Sequence, residues 1–122
     1  MAKKVIVREG VFSIVKAKRD VKPAFACLRD RGEITLIVEQ GKVSKSNIIE
    51  IEKNYTLMTF DMKLAFDLVG FIAKISKAFA DEKVPIFLVS SYSTDHMLVK
   101  KKYLPRIEKK LKAMGFEVKY LR

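Results

Sequence analysis

The stretch Ser90-Ser91-Tyr92-Ser93-Thr94-Asp95-His96 brings together several hydroxyls, a carboxylate and the only histidine of the chain. Such a set could run nucleophilic catalysis, hold a metal or bind a charged small molecule. Nucleophilic catalysis needs a hydroxyl or thiol beside a base that a third group orients. Asp95 and His96 are adjacent, and neighbours on a strand point to opposite faces, so this pair does not build that arrangement. A metal centre needs three or four His, Cys or carboxylate ligands, and His96 with the single Cys27 is no such set. The five glycines are scattered, so no phosphate-cradling loop is present. An enzyme is not expected, and no cofactor is implied. What remains is Asp95 at a break between two apolar runs. It is either part of a hairpin turn with local side-chain bonds or the polar end of a ligand site.

The elements that would position Asp95 are clearest after residue 53. Residues 55–60 (YTLMTF) are rich in aromatic and β-branched types and read as a strand. Asp67 can cap a helix running to about residue 82, with Leu68, Ile72, Ile75 and Phe79 on one stripe. Residues 84–91 form a near-continuous apolar run, consistent with a strand buried on both faces. Residues 96–100 then pair back as a hairpin. Leu104, Ile107, Leu111 and Met114 mark a second helix, with Pro105 in its first turn and Gly115 at its C-terminal cap. Phe116, Val118 and Tyr120 alternate with polar neighbours in a last strand. The order β-α-β-β-α-β predicts an α+β, ferredoxin-like sandwich with two helices on one face of an antiparallel sheet. Ile72, Phe79, Leu104, Ile107 and Leu111 should pack on that face.

The first half is less regular. Residues 11–17 and 33–39 read as strands, residues 23–28 as a helix too short to stand alone, and residues 41–47 as a turn. Cys27, between Ala26 and Leu28, reads as a small buried hydrophobe. The domain division expected is 1–52 and 53–122.

Bulk properties limit the function classes. At 122 residues the chain can bury a core without metal or disulfide support. It has no long apolar span and no signal-peptide pattern, so a cytoplasmic protein with no membrane partner is expected. The net charge of +11 is concentrated at the two ends. Such a field could attract nucleic acid, but no RNA-binding aromatic motif, GXXG loop or finger spacing accompanies it. A solvated lysine-rich surface is the favoured account, and a nucleic-acid partner is not expected.

Two stretches together, DLVGFIAKISKAF from Asp67 and VPIFLVSSYSTDHMLV from Val84, resemble the ACT domain, a small-molecule-binding regulatory module of amino-acid metabolism. The likeness is to the branch with a Thr-Asp-x-x-Leu-Val signature, found in small tandem-ACT proteins and in the ACT halves of cytosolic arginine sensors. It covers residues 55–121 well and extends weakly over 11–39 through GEITLIV. The resemblance implies two ACT-like halves packed side by side, with an amino acid or similar metabolite bound at their junction. The loop Phe66, Asp67, Leu68, Val69, Gly70 and Phe71 would supply backbone groups to the ligand. Thr94 and Asp95 would hold its ammonium, and Thr35 and Leu36 would add backbone contacts. A helix N-terminus suits a carboxylate, and a carboxylate opposite it suits an ammonium, so the two would match a zwitterion. Equally, Asp67 fits a plain helix cap and Gly70 fits tight helix–sheet packing. On the ACT reading Tyr92 and Phe87 are expected to be buried, and a homo-oligomer could form through sheet edges or helices. The reading is a non-enzymatic small-molecule sensor. The alternatives are a basic nucleic-acid-associated protein and a structural adaptor with a vestigial site.

Overall fold

The structure, a computed structural model, describes residues 3–61 and 70–121. These residues form strands β1 (Lys4–Arg8), β2 (Phe12–Ala17), β3 (Ala26–Asp30), β4 (Glu33–Glu39) and β5 (Ile48–Asp61). Helix α1 (Phe71–Asp81), strands β6 (Phe87–Ser90) and β7 (Asp95–Lys100), helix α2 (Leu104–Ala113) and strand β8 (Glu117–Leu121) follow. They belong to two compact units, residues 10–55 and residues 1–9 with 56–122.

The unit holding both helices has the expected β-α-β-β-α-β order, from the end of β5 to β8. Its strands lie in the order β6-β7-β5-β1-β8. The sequence reading puts residues 1–9 with the first half of the chain, whereas β1 lies among the strands of the helix-bearing unit. It runs antiparallel to β5, with Val5 opposite Phe60 and Val7 opposite Met58. It runs parallel to β8, with Val5 opposite Val118. Val5 and Val7 point into the core while Lys4 and Arg8 alternate away from it, which is the period-2 pattern of a strand covered on one face.

The core on the helix side gathers Val5, Val7, Met58, Phe60, Ile75, Phe79, Met97, Val99, Ile107 and Leu111, all buried. Each such side chain adds about 1.5–3 kcal/mol of transfer free energy. On α1 the inward stripe is Phe71, Ile75, Ala78 and Phe79, not the expected Ile72, which is 37% exposed. The Phe71 ring meets Phe60 edge-on at 5.3 Å and 87°, and this contact sets the helix rotation one residue earlier than the sequence pattern suggests. Leu68 and the proposed cap Asp67 lie outside the described residues. Helix α2 follows the reading: Ile107 and Leu111 are fully buried, and Leu104 packs against the same core. It ends at Gly115, whose φ of +93° is the left-handed cap conformation, with Phe116 N–H donating to the Leu111 carbonyl at 3.0 Å. The run 84–91 proves only half-buried from Phe87 to Val89, because β6 is an edge strand paired with β7 alone.

The unit of residues 10–55 is an antiparallel sheet in the order β3-β4-β2-β5. Val15, Ala17, Leu36 and Val38 form its buried cluster. Asn47, 1% exposed, pins the chain by accepting from Arg19 N–H at 2.8 Å and donating to the Arg19 carbonyl at 3.0 Å. The short helix expected over residues 23–28 is not formed. Residues Ala26–Asp30 instead pair with β4, Cys27 opposite Leu36 and Arg29 opposite Ile34. Arg31 and Gly32 both take positive φ, 45° and 77°, which is the two-residue turn that matches strand twist. A helix of six residues does not stand alone in water, whereas a short extended segment can satisfy its backbone on a neighbouring strand. This edge position leaves Cys27 exposed rather than buried. Partial desolvation and the nearby Asp20 hold its thiol above the ordinary range, so it is not an activated nucleophile. No helix among the described residues is long and apolar enough to cross a membrane.

Candidate functional site

The break between β6 and β7 is a tight hairpin turn. Ser91 N–H donates to the Thr94 carbonyl at 2.8 Å, and the Ser91 hydroxyl donates to the same oxygen at 3.0 Å. The two hydroxyls of Ser91 and Thr94 lie 2.8 Å apart. Tyr92 sits at the tip and is 82% exposed, contrary to expectation, while Phe87 is half-buried. A two-residue loop leaves no second layer to cover its first side chain, and this accounts for the exposed ring.

Asp95 opens β7 directly opposite Ser90, whose hydroxyl donates to its carboxylate. Side chains alternate along a strand, so Asp95 shares a face with Met97 and Val99, both members of the helix-covered core. Asp95 therefore stands half-buried at the rim of the helix-covered layer. A carboxylate at such a rim remains accessible to a solute, and among the described residues its hydrogen-bond partner is the neutral Ser90 hydroxyl.

His96 points to the opposite face. It is a buried polar residue of β7, 6% exposed. Its Nδ1 lies 2.9 Å from the Thr59 hydroxyl, and its Nε2 lies 3.2 Å from the hydroxyls of both Ser91 and Thr94. Arg8 donates from Nε to the same Thr59 hydroxyl at 3.0 Å. Burial, and then the positive charge of Arg8, push the imidazole below its ordinary pKa, with Asp95 pulling weakly the other way. A general base must gain a proton during reaction, and this environment opposes that gain. The Ser91–His96 contact is thus a pin fixing the turn to the sheet, built from four strand or turn segments. Two polar residues inside apolar runs, Thr59 in YTLMTF and His96 in DHMLV, are the signal that could have found it, because buried polar groups need partners.

Of the remaining expected site residues, Phe66, Asp67, Leu68 and Val69 lie outside the described residues. Gly70 precedes α1 with a φ of +87°, and a Cβ added there would meet none of the described residues within 4 Å. Phe71 starts the helix and turns its ring to the core. Thr94 is half-buried and engaged within the turn. Thr35 and Leu36 lie in β4, which is flanked on both sides: Thr35 faces Lys16 and Leu28, and Leu36 faces Val15 and Cys27. Their backbone groups are taken up by the two ladders, so they are not free to receive a ligand. No group of three or more His, Cys, Asp or Glu side chains that could hold a metal occurs among the described residues.

A family profile described as the ACT domain matches residues 50–113. No curated protein matches the chain at a significant level. Among solved structures, a protein from Agobacterium tumefaciens superposes with a TM-score of 0.82 at 18% identity, covering 100% of this chain and 96% of its own. The aspartate kinase of Clostridium acetobutylicum, an allosteric enzyme, matches with a TM-score of 0.67 at 13% identity over 91% of this chain, which corresponds to 34% of that enzyme. A Porphyromonas gingivalis structure described as a C-terminal regulatory domain of aspartate kinase gives 0.62 at 17% identity, covering 94% of this chain and 98% of its own. At these identities the likeness carries the fold, an α+β sandwich of ACT type.

Proposed function

The chain belongs to the ACT domain family, and from that premise we propose that it is a non-catalytic regulatory module whose ligand is an amino acid or a similar zwitterionic metabolite. ACT domains are regulatory modules that bind small molecules, and the finer assignment to an amino acid rests on one observation. Asp95 holds a half-buried carboxylate at the rim of the helix-covered face, at the start of the strand that follows the Ser-Thr turn. An ammonium meeting that carboxylate gains a charge-assisted hydrogen bond. Gly70, which has no side chain and leads into α1, would let a ligand's carboxylate approach the first backbone N–H groups of that helix. The module works in the cytoplasm in this reading. The exposed edge strand β8 offers a second copy a place to pair.

A thermal-shift screen against the proteinogenic amino acids and their biosynthetic precursors tests this. A ligand at one hundred times its dissociation constant adds about 2.7 kcal/mol of stability. One chemically coherent group of hits supports the proposal. A screen without any shift at millimolar concentration contradicts it.

A further inference from the structure

The positive charge of the chain has a definite address on the helix-bearing unit. Between residues 100 and 112 there are Lys100, Lys101, Lys102, Arg106, Lys109, Lys110 and Lys112, against the single acid Glu108. Lys110 is paired with Glu82 and Lys112 with Glu108. Lys101, Lys102, Arg106 and Lys109 are exposed, and among the described residues none of them is in an ion pair. Lys102, Arg106 and Lys109 are spaced four and three apart, so they share the outer face of the turn and helix that carry them.

These cations are also held in place. Lys102 and Arg106 both approach the Tyr103 ring, at 5.1 Å and 5.6 Å from its centroid. Arg106 further donates from Nη1 to the Glu82 carbonyl at 2.9 Å. One aromatic ring thus holds two like charges within cation–π distance. Helix stability does not explain the arrangement. Cations favour the last turn of a helix, whereas Lys101, Lys102 and Arg106 crowd the approach to the first turn of α2, which carries no acidic residue of its own.

We infer that this face docks the phosphate backbone of a duplex nucleic acid. Among the described residues no large apolar side chain stands between these cations: of the exposed ones, Tyr120 lies on the flank of α2, where its hydroxyl donates to Glu108, and Leu28, Ile49, Ile72, Tyr92 and Leu121 belong to other elements or loops. A protein interface is centred on apolar or aromatic anchors, and an amphipathic membrane contact needs an apolar face to insert. A phosphate backbone requires neither, only cations at intervals along a surface. Single strands are bound by stacking bases on exposed aromatic rings. Tyr103 is half-buried and already covered by two cations, which leaves the duplex backbone as the fitting partner. The surface is separate from the Asp95 rim, so this inference stands whether or not an amino acid binds there.

Fluorescence anisotropy of a labelled 20-base-pair DNA duplex of arbitrary sequence, titrated with the full chain at several salt concentrations, provides the test. With four phosphate contacts, log K falls against log salt with a slope of about −3.6, or 0.9 per contact. The double variant Lys102→Gln with Lys109→Gln removes two contacts. It is expected to flatten the slope by about 1.8 and to weaken binding about sixtyfold at 0.1 M salt. Lys42→Gln with Lys45→Gln makes the same change in net charge on exposed positions of the other unit and is expected to leave affinity nearly intact. Equal losses in the two variants would mean that only diffuse charge is felt, and the inference fails. It also fails if the wild-type chain does not bind duplex at 50 mM salt, or if it binds a single strand or phosphatidylserine vesicles more tightly.

Discussion

Replacing Phe79 by alanine, beside Ile72→Ala on the same helix, tests the phase of α1 against the sheet. Phe79 has no exposed surface and lies in the cluster with Phe60, Met97 and Leu111, whereas Ile72 is 37% exposed. Truncating a fully buried phenylalanine costs about 3–5 kcal/mol, the transfer term plus the cavity left behind. Ile72 loses only the burial of a side chain that can already reach water, about 1 kcal/mol or less. Domains of this size are stable by about 5–15 kcal/mol, so Phe79→Ala removes a large share of the total and Ile72→Ala does not. Urea denaturation followed by circular dichroism reads both costs as shifts in midpoint at constant m-value. Comparable losses for the two variants, or a larger one for Ile72, would mean that the helix is rotated by a residue and that the Phe71–Phe60 contact does not set its orientation.

Other expectations concern β1 and His96. Val5→Asp buries a carboxylate in the strand between β5 and β8 and is expected to unfold the helix-bearing unit. Retention of a cooperative melt near the wild-type temperature would remove β1 from that sheet. His96 has a folded pKa below its unfolded value, chiefly through burial. Its contribution to stability is therefore fully present above the unfolded value of about 6.5 and is lost as pH falls through the folded one. His96→Gln should abolish that acid-side loss below about pH 6.5, seen as parallel melting curves where the wild type declines. An unchanged pH profile would show that the ring is solvated.

Local pattern made much of this chain legible. Strand β4 is bounded by polar turns and was readable residue for residue. The stripe Leu104, Ile107 and Leu111 needed only a helical period and a glycine cap. What escaped depended on distant partners. Lys4–Arg8 is a short apolar alternation whose meaning comes from strands 50 and more residues away. Residues 26–30 carry no period that separates strand from helix, and β4 decides it. The burial of His96 requires Thr59, 37 residues earlier in the chain, and Arg8 beyond it. At the candidate site the Ser-Thr-Asp run was visible as chemistry, but the split between Asp95 on the helix side and His96 on the other follows from the strand that carries them.

Calorimetric titration of Asp95→Asn beside the wild type, with the amino acid that the thermal screen identifies, tests the central claim most directly. If Asp95 holds the ligand's ammonium, the variant loses a charge-assisted hydrogen bond of about 1.5–3 kcal/mol, a weakening of roughly tenfold to 150-fold. Its stability without ligand should fall by less than about 1 kcal/mol, because the amide oxygen of the substituted side chain can still accept from exposed Ser90. Unchanged affinity together with a clear loss of stability would make Asp95 a turn residue and contradict the proposed site.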